Sequence, residues 1–306
     1  MKSIFFFLVF WSLVVSRVSL VGAANRTRTF ETIVVAGDTS HPPDPVGGDP
    51  GHRSSPDKRP LAEVLRIRWP YKTIPVKFVD DYPQEYRPKV YAAMDAINKL
   101  TCVRLTNATA FSSYTVKVGW AESGCFSHIG YRNYDTGYQD LNLHPTCFGD
   151  LLGTVIHEFI HAIGFHHQQS RPDRDEYITI YKDRIDKDRF FNFNKKKEKN
   201  AYLSTFGLPY DYNSVMQYPR NAFSIGKGHV LEAKKRFRGD LGQRAGPSRA
   251  DIAAINRMYE CTDHYIGDDI DGAVPYRDFH RGYMTARPKV SKVLRKWEAK
   301  MKKLTA

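Results

Sequence analysis

Cysteine is scarce in this chain: only Cys102, Cys125, Cys147 and Cys261 occur in 306 residues. Their wide spacing excludes a cysteine-held zinc site, which needs ligands in close pairs. It leaves two disulfides, with three possible pairings. Long apolar runs are missing beyond the first 24 residues, so no later segment is suited to crossing a membrane. Acidic side chains are in deficit, 33 against 46 basic ones, for a net charge of +13. Internal repeats are absent. What remains is a globular composition, 42% hydrophobic and 13% aromatic, long enough for a sizeable core with appendages.

Residues 1–24 read as a secretory signal. Lys2 supplies the positive start, residues 4–15 the apolar run, and Val21-Gly22-Ala23-Ala24 a small-residue cleavage site. The apolar run is short for a membrane anchor, which needs about 20 residues. A secreted chain keeps disulfides, and its Asn25-Arg26-Thr27 and Asn107-Ala108-Thr109 become glycosylation acceptors at Asn25 and Asn107. In that compartment the positive charge points to acidic glycans or anionic lipid surfaces and away from nucleic acid.

Residues 25–59 are rich in Pro, Gly, Asp and Arg and read as an extended pro-segment. From residue 60 the texture changes. Residues 73–79 alternate like a strand, and Pro88 opens an amphipathic helix with Val90, Met94, Ile97 and Leu100 on one face. Further strands are expected at 103–105, 114–120, 126–131 and 140–143. A late helix starts at Ser248, with Asp251 in the reciprocal capping position and Ile252, Ile255, Met258 and Tyr259 facing inward. The last segment, 288–306, carries an apolar stripe that includes Val290, Leu294 and Trp297, set among basic residues such as Lys289, Arg295 and Lys300. Such a pattern suits acidic glycans or a membrane surface, or simply a solvated helix resting on the body.

The most informative stretch is His157-Glu158-Phe159-Ile160-His161-Ala162-Ile163-Gly164-Phe165-His166-His167. On a helix, His157 and His161 lie four positions apart on one face and can reach one metal ion. Glu158 is placed to touch a water there without being a ligand. Gly164 can end the helix in a left-handed turn, which brings His167 back as a third ligand and leaves a fourth position open. His166 points elsewhere and reads as a bystander. The apolar flank, including Leu151, Leu152, Val155, Ile156 and Phe159, puts the ligands on a buried helix. The extended pattern is a metzincin signature.

Residues 60–262 resemble the astacin family of secreted zinc endopeptidases. The likeness rests on the ligand helix and on its continuation Arg171-Pro172-Asp173-Arg174-Asp175-Glu176-Tyr177. It extends to Asp211-Tyr212-Asn213-Ser214-Val215-Met216-Gln217-Tyr218, similar to the family's Met-turn, and to Arg68-Trp69-Pro70 and Ile255-Asn256-Arg257-Met258-Tyr259-Glu260-Cys261 at the domain edges. The resemblance implies an α+β, two-lobed metzincin (zincin-like) domain. Its upper lobe has a mixed twisted sheet with helices, and its lower lobe is irregular with one C-terminal helix. Residues 1–24 would then be the signal, 25–59 the pro-segment, 60–262 the protease domain and 263–306 a basic tail.

The resemblance also implies pairings Cys102–Cys261 and Cys125–Cys147, and one Zn²⁺ held by His157, His161 and His167. Glu158 would be the general base, Tyr218 a support for the oxyanion, and Met216 an apolar floor under the histidines. Extended polypeptides would bind as an added strand near residues 140–143. Arg220 lies where some relatives keep a basic residue, which implies a preference for an acidic residue after the scissile bond.

Two departures stand out. Gln168 follows the third histidine where relatives have a Glu that receives the mature N-terminus, and an amide cannot form that ion pair. The family's Phe-x-Gly-Asp zinc cap is met only by Val35-Ala36-Gly37-Asp38 and Val46-Gly47-Gly48-Asp49, of which Asp38 follows an apolar run and is preferred. The reading is a secreted zinc endopeptidase. The competing one is a zinc-binding, non-catalytic secreted factor acting through its basic tail.

Overall fold

The computed structural model describes residues 67–132, 135–196 and 205–286. Strand alternation builds its sheet. β1 (Thr73–Phe78) buries Ile74 and Val76 and turns the residues between them toward more open surroundings. β2 (Arg104–Asn107), β3 (Thr115–Gly119), β4 (Cys125–Ser127) and β5 (Tyr138–Leu143) complete five strands in the order β2-β1-β3-β5-β4. β2, β1, β3 and β5 run parallel, and β4 is antiparallel to β5. A mixed sheet with helices packed on it is the α+β arrangement expected of a metzincin.

α1 (Arg87–Leu100) carries Pro88 in its first turn, where no amide partner is lost. Val90, Ala93, Met94 and Ile97 form its buried stripe at helical spacing, while Leu100, expected on that face, is 39% exposed. Thr101 ends the helix with its hydroxyl donating to the Ile97 carbonyl at 3.0 Å.

α2 (Gly153–Ile163) is almost wholly buried. Leu151 and Leu152, read as part of its apolar flank, precede it, and Leu151 is 56% exposed. Gly164 stops the helix at φ 131°, a conformation that β-carbon-bearing residues avoid. The last-turn carbonyls, which a helix leaves without internal partners, are met from outside. Gly130 N–H donates to His161, the Trp69 indole to Ala162, and the Tyr259 hydroxyl to Ile163. The terminus of the ligand helix is therefore fixed by three distant segments.

α3 (Arg249–Met258) begins with the capping box expected of Ser248 and Asp251. It packs into the same large core as the sheet, α1 and α2. A second, smaller core gathers Ile178, Ile185, Phe193, Tyr210, Tyr218, Val230, Leu231 and Leu241. This part of the chain contains a two-stranded antiparallel sheet, β6 (Ile178–Ile180) with β7 (Leu231–Ala233), that the sequence did not reveal.

The folded body also continues past residue 262, the expected end of the protease domain. α4 (Tyr276–Ala286) and the segment before it bury Tyr276 and Phe279 in the large core. The anchor is Arg257, whose buried guanidinium donates to the carbonyls of Phe206, Ile266 and Val274 and pairs with Asp268 at 3.0 Å. A buried cation is stable only when its donors are met, and here three carbonyls and a carboxylate meet them. Both disulfides are formed: Cys102–Cys261 joins the end of α1 to the end of α3, and Cys125–Cys147 ties β4 to the turn after β5. No helix among the described residues is long and apolar enough to cross a membrane.

Candidate metal centre

The histidines at 157 and 161 project from one face of α2, and the chain after Gly164 returns His167 to meet them. The Nε2 atom of His167 lies 3.2 Å from that of His157 and 3.0 Å from that of His161. Each of the other two rings donates from Nδ1 to a backbone carbonyl at 2.7 Å, His157 to Val215 and His161 to Phe165. Those bonds fix the tautomer, so the Nε2 lone pairs converge on one point. Burial, reinforced by the Arg244 guanidinium and the neighbouring rings, holds His157 and His167 well below the usual imidazole pKa. Neutral imidazole is the ligating form.

The donor set fits zinc. Three nitrogens at about 2.0–2.1 Å from a tetrahedral ion would sit about 3.3 Å apart, close to the spacings present. Among the described residues, these three histidines are the one group of His, Cys, Asp or Glu so clustered.

Glu158 and Tyr218 are both buried beside the cluster. The Tyr218 ring centroid is 4.3 Å from that of His167, and Phe193 and Phe223 hold its other sides. Met216 is buried in the turn beneath, and its carbonyl accepts from Gln168 N–H at 2.9 Å. The Arg171–Tyr177 run shows its purpose here. Arg171 binds Asp173 through two bonds and also the carbonyls of Leu208 and Pro209. Buried Arg174 binds the carbonyls of Gln169 and Phe193. Together they pin the chain where it leaves His167. Gln168, His166 and His167 line a cavity of about 390 Å³ that also includes Arg171, Asp211 and Asp251.

The backbone carbonyl of Arg220 accepts from Val230 and Leu231, while its side chain makes no ion pair among the described residues. Asn107 is exposed at the end of edge strand β2. Asn25, Asp38, the signal, the pro-segment and residues 288–306 lie outside the described residues. Residues 140–143, expected to offer an open edge, are internal: β5 is bonded to β3 on one side and β4 on the other. The free edge at that end of the sheet is β4, which packs against α2. Sequence reading also missed the Val215 and Phe165 carbonyls, because backbone acceptors leave no mark on residue identity.

A family model described as Astacin, a peptidase family, matches residues 62–260. Protein SpAN of Strongylocentrotus purpuratus is 36% identical over 204 residues, 64% of this chain and 32% of that protein. Meprin A subunit beta of Rattus norvegicus is 36% identical over 196 residues, 64% of this chain and 27% of that protein. This chain thus spans about a third or less of the length of these relatives. Among solved structures, high choriolytic enzyme 1, a hatching enzyme zinc-protease from Oryzias latipes, is 34% identical. It matches with a TM-score of 0.55 over 62% of this chain and 90% of that one.

Proposed function

The chain belongs to the astacin family, and on that premise we propose that it is a secreted zinc endopeptidase cutting extended polypeptides. The observation that carries the proposal is the convergence of three buried imidazoles, with the buried side chain of Glu158 next to the first of them. His157, His161 and His167 would hold the metal, and zinc, when bound, supplies Lewis acidity to a water and to the scissile carbonyl. Glu158 takes the proton of the attacking water on its carboxylate and passes it to the leaving amine. Tyr218, against the third ligand, donates its hydroxyl to the developing oxyanion. The substrate adds to the outer edge of β4, where its backbone is held extended alongside the ligand helix. Arg220 favours an acidic residue after the cut.

Digestion of a peptide library by the processed full chain tests this directly. Hydrolysis should stop with a chelator, return with zinc, and enrich Asp or Glu after the cleaved bond. Intact peptides at every zinc level would leave only the non-catalytic zinc-binding reading. Cleavage without acidic enrichment would remove Arg220 from the site.

Two disulfides favour an oxidising compartment, in keeping with secretion directed by residues 1–24. Acidic glycans are proposed as partners of residues 288–306, whose basic side chains supply a salt-sensitive attraction. A chain ending at residue 286 should elute from heparin at lower salt than the full chain, with peptide hydrolysis unchanged. Equal elution would locate the attraction in the folded body instead.

A further inference from the structure

We infer that Arg244 is a positioning residue of the metal site, acting on His157 through the carbonyl of Val215. The inference rests on the zinc reading above. Arg244 Nη1 shares its protons among three backbone carbonyls: Val215 at 3.0 Å, Gln217 at 3.3 Å and Gln243 at 2.9 Å. The Val215 oxygen is the same atom that accepts His157 Nδ1–H at 2.7 Å. A carbonyl has two lone-pair directions, so a guanidinium fixed on one leaves the other aimed at the ligand ring. That bond in turn sets the tautomer and plane of His157. The Gln217 carbonyl lies one residue before Tyr218, so the same nitrogen steadies the turn from which that ring emerges.

Arg244 is itself anchored to the helix that carries His157. Gly153, the first residue of α2, packs so tightly on the Arg244 carbonyl that a β-carbon there would overlap the oxygen. The backbone of residue 244 is thus seated on the start of α2, while its side chain grips the turn beneath the metal. Its neighbour Gln243 donates to the Asn213 carbonyl at 2.7 Å, further back in the same turn. Arg244, and not Gln243, bonds the acceptor of the ligand.

Charge alone would argue against this residue. A guanidinium near a dication site opposes metal binding, and burial itself disfavours the charge on Arg244. The two effects therefore predict opposite signs. Were Arg244 only a nearby charge, its replacement by Met would tighten zinc binding and Lys would change nothing. As a positioning residue, Met loosens the metal. Lys also loosens it, because its side chain ends one bond short of the Nη1 position from which all three carbonyl bonds are made.

The test uses the processed full chain, with zinc affinity read by chelator competition and geometry by the visible spectrum of the cobalt-substituted protein. Arg244→Met should weaken zinc by about 10–100-fold, the usual effect of losing an outer partner of a metal ligand. Arg244→Lys should fall between, and both should alter the cobalt spectrum. Gln243→Ala should stay within about threefold of wild type. Unchanged or tighter zinc in either Arg244 variant overturns the inference. So does a loss in Gln243→Ala equal to that in Arg244→Met, since the turn as a whole would then be responsible. If the Met variant does not fold, Arg244→Lys decides. Absence of zinc from the wild type would instead remove the zinc reading itself.

Discussion

Replacing Glu158 by Gln should leave zinc at one per chain and cut peptide hydrolysis by about 10²–10⁴-fold, the usual contribution of a positioned base. The metal should stay because none of its holders is touched. His157 and His161 keep their bonds to Val215 and Phe165, and His167 keeps its place against Tyr218. Glutamine matches glutamate in size, so the buried site should not open a void. What disappears is the ability to take a proton from water and return it to the leaving amine. That loss corresponds to about 3–5.5 kcal/mol of transition-state stabilisation. The Michaelis constant should move little, because a group that acts on protons in the transition state contributes little to holding the substrate. Turnover within about tenfold of wild type, with zinc present, would show that the base lies elsewhere.

The three clustered histidines were legible because local spacing encodes them. His157 and His161 meet through helical geometry alone, and Gly164 marks the turn that returns His167. The start of α1 at Pro88 and the capping box of α3 are likewise local. What escaped was non-local. β6 and β7 are three residues each and about fifty positions apart, too short for alternation to register. The outer position of β4 depends on sheet order, which no single strand records, so the internal place of residues 140–143 was not legible. Residues 263–279 looked like the approach to a basic tail. Arg257 ties that segment to the body by binding the carbonyls of Ile266 and Val274, and backbone acceptors leave no mark on residue identity. Arg244 was missed for a related reason: its partners are carbonyls, and any residue type could supply them.

Removing the long disulfide should have the largest effect on stability. The Cys102→Ala/Cys261→Ala chain is expected to lose about 5 kcal/mol of unfolding free energy, the chain-entropy value for a loop of this size. The bond spans 159 positions, most of the stretch from residue 67 to residue 286, so reducing it frees a large part of the unfolded chain at once. The folded state should change little. Asn256 holds the same junction by accepting from Cys102 N–H and donating to the carbonyls of Leu100 and Tyr265, and its own carbonyl accepts from Cys261 N–H. Those bonds persist when both sulfurs are gone, and alanine adds no unmet polar group to a buried site. The shorter Cys125–Cys147 link, 22 positions apart, should contribute only about 3 kcal/mol by the same relation. Urea unfolding of the two double variants checks both values and their order. A stability of about 5–15 kcal/mol is typical of a domain, so losing the long link should bring the protein close to unfolding at body temperature while its zinc-loaded activity at low temperature survives. A loss under about 1 kcal/mol, or a larger loss from the short link than from the long one, would mean that the unfolded chain is already held compact by other contacts.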